Sequence, residues 1–188
     1  MNKNLLVVLG VIALVVVIIG GWVINGYNRV VAMDENVKTA WAQVDNQLQR
    51  RYDLIPNLVE TVKGYASHEK EVFEHLADAR TKYFQAQDIK GKIEASGDLE
   101  QALSRLLVLQ ETYPQLKANE TFLKMMDSLE GTENRLAVER KRYNDAVRIL
   151  NTYIRTIFGR FFANLAGVKE AEYYQTPAAE KPAPKVKF

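Results

Sequence analysis

The sequence contains no cysteine and only two histidines. The absence of cysteine excludes a disulfide scaffold, a cysteine-rich zinc site, a thiol nucleophile and a lipoprotein anchored through cysteine. With two histidines, most catalytic and metal-binding arrangements that use imidazole lack the residues they need. The 25 basic and 23 acidic residues leave a formal charge of +2, so there is no excess of basic residues to indicate nucleic-acid binding. The composition therefore argues against an enzyme and against a nucleic-acid-binding protein.

An uncharged apolar run occupies residues 5–24, with seventeen apolar residues and three glycines. Twenty helical residues span about 30 Å, the thickness of the bilayer hydrocarbon. The run predicts a transmembrane anchor, with Trp22 and Tyr27 at the membrane interface. A cleaved signal peptide is the alternative. Its apolar region is usually about 7–15 residues long, and Ile18 and Ile19 are poor residues for the −3 position of a cleavage site.

The remainder divides into a nearly neutral body and a proline-rich tail. Residues 1–4 form a short flank before the anchor, and residues 25–175 form the body. Residues 176–188 contain three of the five prolines, together with lysine and alanine. This composition predicts an extended, disordered tail.

Three breaks in the body predict four helices after the anchor. Pro56 and Pro114 lack a backbone donor and clash with the preceding turn, so each is expected to interrupt a helix. Gly91 and Gly97 mark a third break, after which Asp98 is expected to cap the next helix. Alternation of the kind that forms strands does not occur in the sequence.

Apolar residues recur in the body at alternating steps of three and four. They occupy seven of nine such positions in residues 27–55, eight of nine in 58–86 and nine of eleven in 122–157. Asn119 is expected to cap the last of these helices. The first of them can continue directly from the anchor, and only residues 25–26 weaken that continuity. The pattern predicts an all-α protein in which a transmembrane helix precedes an up-and-down antiparallel four-helix bundle with long, coiled-coil-like helices.

Five charged residues share the register of the apolar rows: Asp34, Arg51, Glu69, Glu133 and Arg140. Because burying an unpaired charge costs several kcal/mol, each must pair, reach the edge of the bundle or line a site. One interpretation is an internal ion-pair network that fixes the register of the helices. The other is a carboxylate site inside the bundle.

Two polar clusters are candidates for an interaction motif. The first surrounds a proline and comprises Arg50, Arg51, Asp53, Pro56, Asn57 and Glu60. In it, Arg51 is expected to pair with Asp53 or Glu60 across a turn. The second follows one face of the last long helix and comprises Glu133, Arg140, Asn144 and Asn151. We expect the two clusters to be partners in the bundle.

The residues most suggestive of a metal site are His68, Glu71 and His75. Steps of three and four would place them on one helix face, where two imidazoles and a carboxylate could hold zinc. The alternative is a solvated charged face. The sequence has no Glu-x-x-His motif of dimetal bundles, no nucleophile elbow and no phosphate-binding loop. We therefore predict no catalytic residue, no metal and no cofactor.

Several long motifs resemble the LemA family of bacterial membrane proteins. They are YNRVV, RRYDLIPNLVETVKGYA, YPQLKANETF and LEGTENRLAVERKRYNDAV, and the resemblance extends through Tyr174. It implies a four-helix bundle tethered by one span, in a family with no agreed enzymatic activity. Relatives that take part in making magnetosome membranes imply a membrane-organising scaffold or adaptor that self-associates. The alternative is an extracytoplasmic module that binds a peptide, a small anion or an envelope protein.

The resemblance also bears on location and partners. It implies a single-pass protein of the cytoplasmic (inner) membrane whose partners are the lipid bilayer, further copies of the chain and a membrane or envelope protein. Lys3 on one side of the span and Arg29 and Lys38 on the other do not decide the orientation. Some relatives carry a lipidated cysteine where this chain has Trp22, which favours an extracytoplasmic bundle.

The end of the body departs from the family pattern. Relatives often have a proline after the last long helix, whereas this chain has glycine at 159, so the helix is expected to run on or to break at Gly159. The amphipathic stretch RTIFGRFFANLAG then places Phe158, Phe161, Phe162 and Leu165 against the bilayer surface or another subunit. The alternative is a cap that closes the end of the bundle.

Overall fold

The computed structural model describes residues 3–175, and within them the chain forms helices and no strand. The helices are α1 (Lys3–Lys63), α2 (Lys70–Gln85), α3 (Ile89–Thr112), α4 (Pro114–Lys117), α5 (Glu120–Ile154) and α6 (Ile157–Ala166). The prediction of an all-α protein is confirmed. The tail predicted to be disordered, residues 176–188, lies outside the described residues.

Helix α1 contains the apolar run and continues without interruption for 61 residues. Residues 25–26, the weak point in the sequence, do not break it, so the apolar run and the first body helix are one helix. By length and composition α1 can cross a membrane, with a mean hydropathy of 3.0 in its most apolar window. No residue in this most apolar stretch of α1 is buried.

The prediction that Pro56 interrupts a helix is wrong, because Pro56 lies inside α1. A proline inside a helix costs about 3 kcal/mol. Tyr52, Ile55 and Leu58 on either side of it are buried in the core. Burying each such side chain is worth about 1.5–3 kcal/mol, which exceeds the local cost. The chain instead turns after Lys63, where the amide of Ala66 donates to the Val62 carbonyl at 2.9 Å.

The break expected near Gly91 and Gly97 is also misplaced, since both glycines lie within α3. The helix begins after Asp88, whose Oδ1 accepts a hydrogen bond from the Gly91 amide at 2.8 Å. Asp98, predicted as the cap, lies in the interior of α3 and pairs with Lys82 at 2.7 Å. Two glycines cost about 2 kcal/mol in a helix, which packing along α3 outweighs.

The break predicted at Pro114 and the cap predicted at Asn119 are confirmed. Helix α3 ends at Thr112, and Pro114 opens the single turn α4 at a position where a missing amide is tolerated. Asn119 Oδ1 then accepts from the Phe122 amide at 2.9 Å and caps α5.

The last long helix does not run on, nor does it break at Gly159. Helix α5 ends at Ile154, and Thr156 caps α6 by accepting from the Gly159 amide at 3.0 Å. A Cβ atom at Gly159 would overlap the carbonyl oxygen of Tyr153. The glycine therefore permits the tight turn before it, and a threonine cap decides where α6 starts.

The described chain forms two compact units. Of the described residues, the second unit contains Val44–Arg140 together with Tyr174 and Gln175. Within it the end of α1, the whole of α2 and α3, and the start of α5 make the predicted up-and-down antiparallel four-helix bundle. Its largest fully buried side chains include Leu48, Tyr52, Leu58, Leu76, Leu99, Leu106, Phe122 and Leu136.

Of the described residues, the first unit contains residues 3–43 and Lys141–Tyr173. Its described helices are the start of α1, the end of α5 and α6. The buried side chains of this unit include Val30, Val37, Trp41, Tyr143, Val147, Leu150 and Phe162. After Gly167 the chain is held to α5, since the Asn151 side chain makes two hydrogen bonds with the backbone of Ala171 at 2.8 and 2.9 Å.

Candidate functional site

Four charged side chains meet inside the four-helix unit: Arg51 of α1, Glu100 of α3, and Glu133 and Arg140 of α5. We call them the charge cluster. Arg51 and Arg140 are only 8% and 9% exposed. They are buried because they occupy positions in the apolar rows of their helices, so packing of the neighbouring apolar residues carries them inside.

The charges of the cluster alternate in space. Arg51 donates from Nη1 to Glu133 Oε2 at 2.5 Å and lies 3.8 Å from Glu100 Oε1. Arg140 donates from Nη2 to Glu100 Oε1 at 2.5 Å and from Nη1 to Glu133 Oε1 at 3.3 Å. Each carboxylate therefore lies between two guanidinium groups. The cluster is neutral as a whole and joins three helices.

Tyr174 extends the cluster beyond the last helix. Its ring centroid lies 4.7 Å from Cζ of Arg140, and its hydroxyl shares a hydrogen bond with Ser96. Burial raises the pKa of Tyr174. Burial opposes the charge on Arg140, but Tyr174, Glu100 and Glu133 outweigh this and raise the pKa of its guanidinium. Near neutral pH the guanidinium stays charged and the phenol neutral, which suits holding helices together better than transferring protons.

The structure brings together one residue of the first predicted motif and two of the second. Arg51 pairs with Glu100 and Glu133, so its expected pairing with Asp53 or Glu60 is wrong. That expectation required a turn at Pro56, where the chain is helical. The other residues of the first motif are exposed on α1: Arg50, Asp53, Pro56, Asn57 and Glu60.

The other predicted polar residues include Asp34, Glu69 and Asn144. Asp34 pairs with Lys38 one turn along α1 at 2.8 Å. Glu69, between α1 and α2, accepts from the Tyr113 hydroxyl at 3.1 Å. Asn144, in the first unit, is half-buried on α5.

Sequence reasoning missed Glu100, Ser96 and Tyr174. Glu100 follows Leu99 in an apolar row, but the misplaced helix start concealed its position. Tyr174 lies outside every helix, so no periodicity identifies it. The contacts also join residues far apart in sequence, 78 positions in the case of Ser96 and Tyr174.

A second polar group in the same unit was also missed. Asp45 accepts from the Tyr83 hydroxyl at 2.6 Å and from Lys92 at 2.8 Å. Tyr83 stacks on Tyr52 with ring centroids 4.1 Å apart, and Tyr52 donates to the Ala95 carbonyl at 2.9 Å. Burial raises the pKa of both phenols, and Asp45 adds to the effect on Tyr83. These contacts join α1, α2 and α3.

The three residues proposed as metal ligands do not share a helix face. His68 lies in the turn before α2, whereas Glu71 and His75 lie within it. His75 approaches Glu71 at 3.4 Å. In the part of the chain that the structure describes, no group of three metal-binding side chains is placed to hold an ion.

An open groove of about 550 Å³ follows α1 and α5 in the four-helix unit. Its lining residues are Arg50, Asp53, Leu54, Asp127, Ser128, Gly131, Thr132 and Arg135. It carries both charges and hydroxyl groups. Arg50 and Asp53 of the first predicted motif line this groove, and the binding-module alternative stays a prediction.

Trp22 and the three phenylalanines among the predicted interface aromatics meet in the first unit. Trp22 contacts Phe158 and Phe162 edge to face, with ring centroids 5.3 and 4.9 Å apart. Phe162 is buried, whereas Phe158 and Phe161 are exposed. Tyr27 is also exposed on α1.

The buried phenols predict a loss of stability at high pH. Burial raises the pKa of Tyr143 to about 12, and its hydroxyl donates to the Glu172 carbonyl at 2.8 Å. In the unfolded chain tyrosine ionises near pH 10, so above that pH the folded state binds more protons. The free energy of unfolding is thus expected to be unaffected by these groups below pH ~10 and to fall as pH rises through 12.

Titration of tyrosinate absorbance, followed together with circular dichroism, checks this expectation. Part of the absorbance should appear only as helicity is lost, and the same chain in denaturant should titrate in one step near pH ~10. Complete ionisation near that pH with full helicity would contradict it.

The chain is similar to known proteins over most of its length. The LemA family matches residues 40–188. The relatives named Magnetosome protein MamQ 2 and MamQ 1, of Paramagnetospirillum magneticum, are each 31% identical to the chain over 183 residues. Magnetosome protein MamQ of Magnetospirillum gryphiswaldense is 28% identical over the same length. Each alignment covers 83% of this chain and 67% of the relative.

These similarities and the apolar helix α1 identify a membrane-associated helical protein. The match to the family covers most of the chain, including the whole four-helix unit up to Tyr174. The chain belongs to the LemA family.

Proposed function

We propose that the protein is a non-enzymatic scaffold or adaptor, anchored by one transmembrane helix in the cytoplasmic membrane, that self-associates to organise membrane. The observation that carries the proposal is α1, because the apolar run and the first helix of the bundle are one helix. The family relatives named as magnetosome proteins support a role at a membrane.

The surface of the apolar run supports a lipid environment. Most of its described large apolar side chains are exposed, among them Leu9, Ile12, Val16, Ile19 and Ile24. Soluble monomers rarely expose a contiguous apolar surface of this size. A bilayer covers such a surface without requiring a further protein chain.

A groove in the first unit supports self-association. It has a volume of about 340 Å³ and is lined by Met33, Asn36, Arg142, Asp145, Ala146 and Ile149. Ile149 is half exposed there. The lining combines apolar and charged side chains, and protein–protein contacts likewise combine an apolar centre with polar residues around it.

Charges placed in the apolar run test the anchor. We expect the double substitution Val11→Arg with Val15→Arg to move much of the protein from membranes into the supernatant of an alkaline carbonate wash. Each arginine costs about 2.5–3.5 kcal/mol at the centre of a span. Val11→Ala with Val15→Ala is the matched control and should stay in the membrane. Release of the unmodified chain by the wash would overturn the proposal of a transmembrane anchor.

Crosslinking in the same membranes tests self-association. The unmodified chain should give dimers or larger species, and Ile149→Glu should reduce them. A monomer at every protein density would rule out a self-associating scaffold.

Labelling of a single cysteine tests the orientation of the bundle. The chain has no cysteine, so a cysteine introduced at exposed Asp53 is the only reactive thiol. If the bundle is extracytoplasmic, this cysteine should react with an impermeant maleimide in intact spheroplasts.

A further inference from the structure

Helix α6 has defined ends and a divided surface. Thr156 caps its start, and Gly167, with φ of 69°, ends it in the left-handed conformation that favours glycine. One face is buried through Gly159, Phe162 and Ala163. At 100° per residue, the exposed side separates into two strips. Ile157, Phe158, Phe161 and Leu165 form the apolar strip, and Arg160 and Asn164 form the polar strip.

The apolar strip is not covered within its own unit. Its four side chains are each more than half exposed. A helix that only closes the end of a bundle would carry polar residues on its outer side. Here the outer side carries phenylalanine, leucine and isoleucine beside an arginine and an asparagine, which is the composition of a helix lying at a membrane surface.

Contacts with α1 place α6 at the end of the apolar run. The Phe162 ring lies against Gly26, where an added Cβ would overlap it, and against Trp22. Phe158, in the apolar strip, also contacts Trp22. Trp22 belongs to the last turn of the apolar run, at the level where tryptophan concentrates in membrane proteins. The exposed apolar surface of the run therefore continues through Trp22 onto the apolar strip of α6.

From this arrangement we propose that α6 is an interfacial helix, docked on α1 through Phe162, whose apolar strip enters the boundary between the lipid headgroups and the acyl chains. The polar strip faces water, so Arg160 lies at the level of the headgroups. The proposal rests on the anchor proposed above. A bilayer is favoured over a second protein chain because the strip is continuous with a surface that the anchor already exposes to lipid.

Site-directed labelling in vesicles tests the proposal. The absence of native cysteine allows single cysteines in the full chain at Phe161 in the apolar strip, at Asn164 in the polar strip and at Val15 in the apolar run. Each variant carries a polarity-sensitive fluorophore in phosphatidylcholine–phosphatidylglycerol vesicles. We expect aqueous iodide to quench the label at 161 about threefold less than the label at 164, and lipids brominated near the headgroup to quench 161 more.

The outcomes separate this proposal from the one on which it depends. A label at Val15 that is exposed to iodide overturns the anchor and, with it, the position of α6. A label at Val15 in lipid with equal iodide quenching at 161 and 164 overturns the interfacial helix alone. If the protection of the label at 161 disappears when the protein is diluted in lipid, a second copy of the chain covers the apolar strip. That result also overturns the interfacial helix.

Discussion

Replacing Arg140 with leucine is expected to lower the free energy of unfolding by about 3 kcal/mol. The substitution leaves Glu100 and Glu133 with Arg51 as the only cation in the charge cluster and removes the partner of the Tyr174 ring. Breaking a buried ion pair costs about 3–5 kcal/mol. We expect the lower end because the Glu100 and Glu133 side chains are 27% and 38% exposed, and solvent screens part of the effect.

Arg148→Leu is the matched control for Arg140→Leu. Arg148 lies on the same helix but is exposed, and it pairs with Asp145 at 3.4 Å. Its replacement should change the free energy of unfolding by no more than about 0.5 kcal/mol. Urea unfolding of the full chain in mild detergent, followed by circular dichroism, measures both. Equal effects of the two substitutions would show that the charge cluster does not stabilise the bundle.

Replacing the whole cluster distinguishes a structural role from an interaction site. A variant with Arg51→Met, Glu100→Leu, Glu133→Leu and Arg140→Met should recover stability to within about 1 kcal/mol of the original chain, because removing all the buried charges leaves none unpaired. A stable variant that keeps its crosslinked species assigns the cluster to the fold. A stable variant that loses them assigns it to self-association.

The second large effect is expected at Phe162. Phe162→Ala should destabilise α6 by about 3 kcal/mol or more, since the side chain is 2% exposed and its removal leaves a cavity against Trp22 and Gly26. The adjacent Phe161 is 55% exposed, so Phe161→Ala in detergent should cost no more than about 0.5 kcal/mol.

Hydrogen exchange of the α6 amides measures this difference. A loss of 3 kcal/mol lowers protection about a hundredfold, and the fall ends where the amides exchange as in an unfolded chain. Loss of protection in Phe161→Ala but not in Phe162→Ala would mean that α6 docks through the opposite face.

Much of the fold could be predicted because the signals for it are local and repeated. Seventeen apolar residues without a charge define the apolar run, and the steps of three and four define the helices and their buried faces. Asn119 was identified as a cap because a cap acts on an amide three residues away. Arg51, Glu133 and Arg140 were singled out because they are charged residues in apolar rows.

The positions of the turns could not be predicted in this way. Pro56, Gly91 and Gly97 each carry a local cost of about 1–3 kcal/mol, which in this chain is smaller than the gain from the side chains buried around them. Thr156 and Asp88, whose capping bonds are short-range, start helices instead. Whether a proline or glycine ends a helix is decided by that balance, and the balance depends on tertiary packing.

The sequence by itself determined the apolar run, the helical class and the residues that form the core, because each follows from spacing along the chain. Only the tertiary structure decided that Arg51 pairs with Glu133, 82 positions away, that Arg140 pairs with Glu100, 40 positions away, and that Phe162 docks against Gly26. No periodic pattern specifies such partners. They are selected when the packed helices bring side chains together at distances where an unpaired charge or an unfilled space costs free energy.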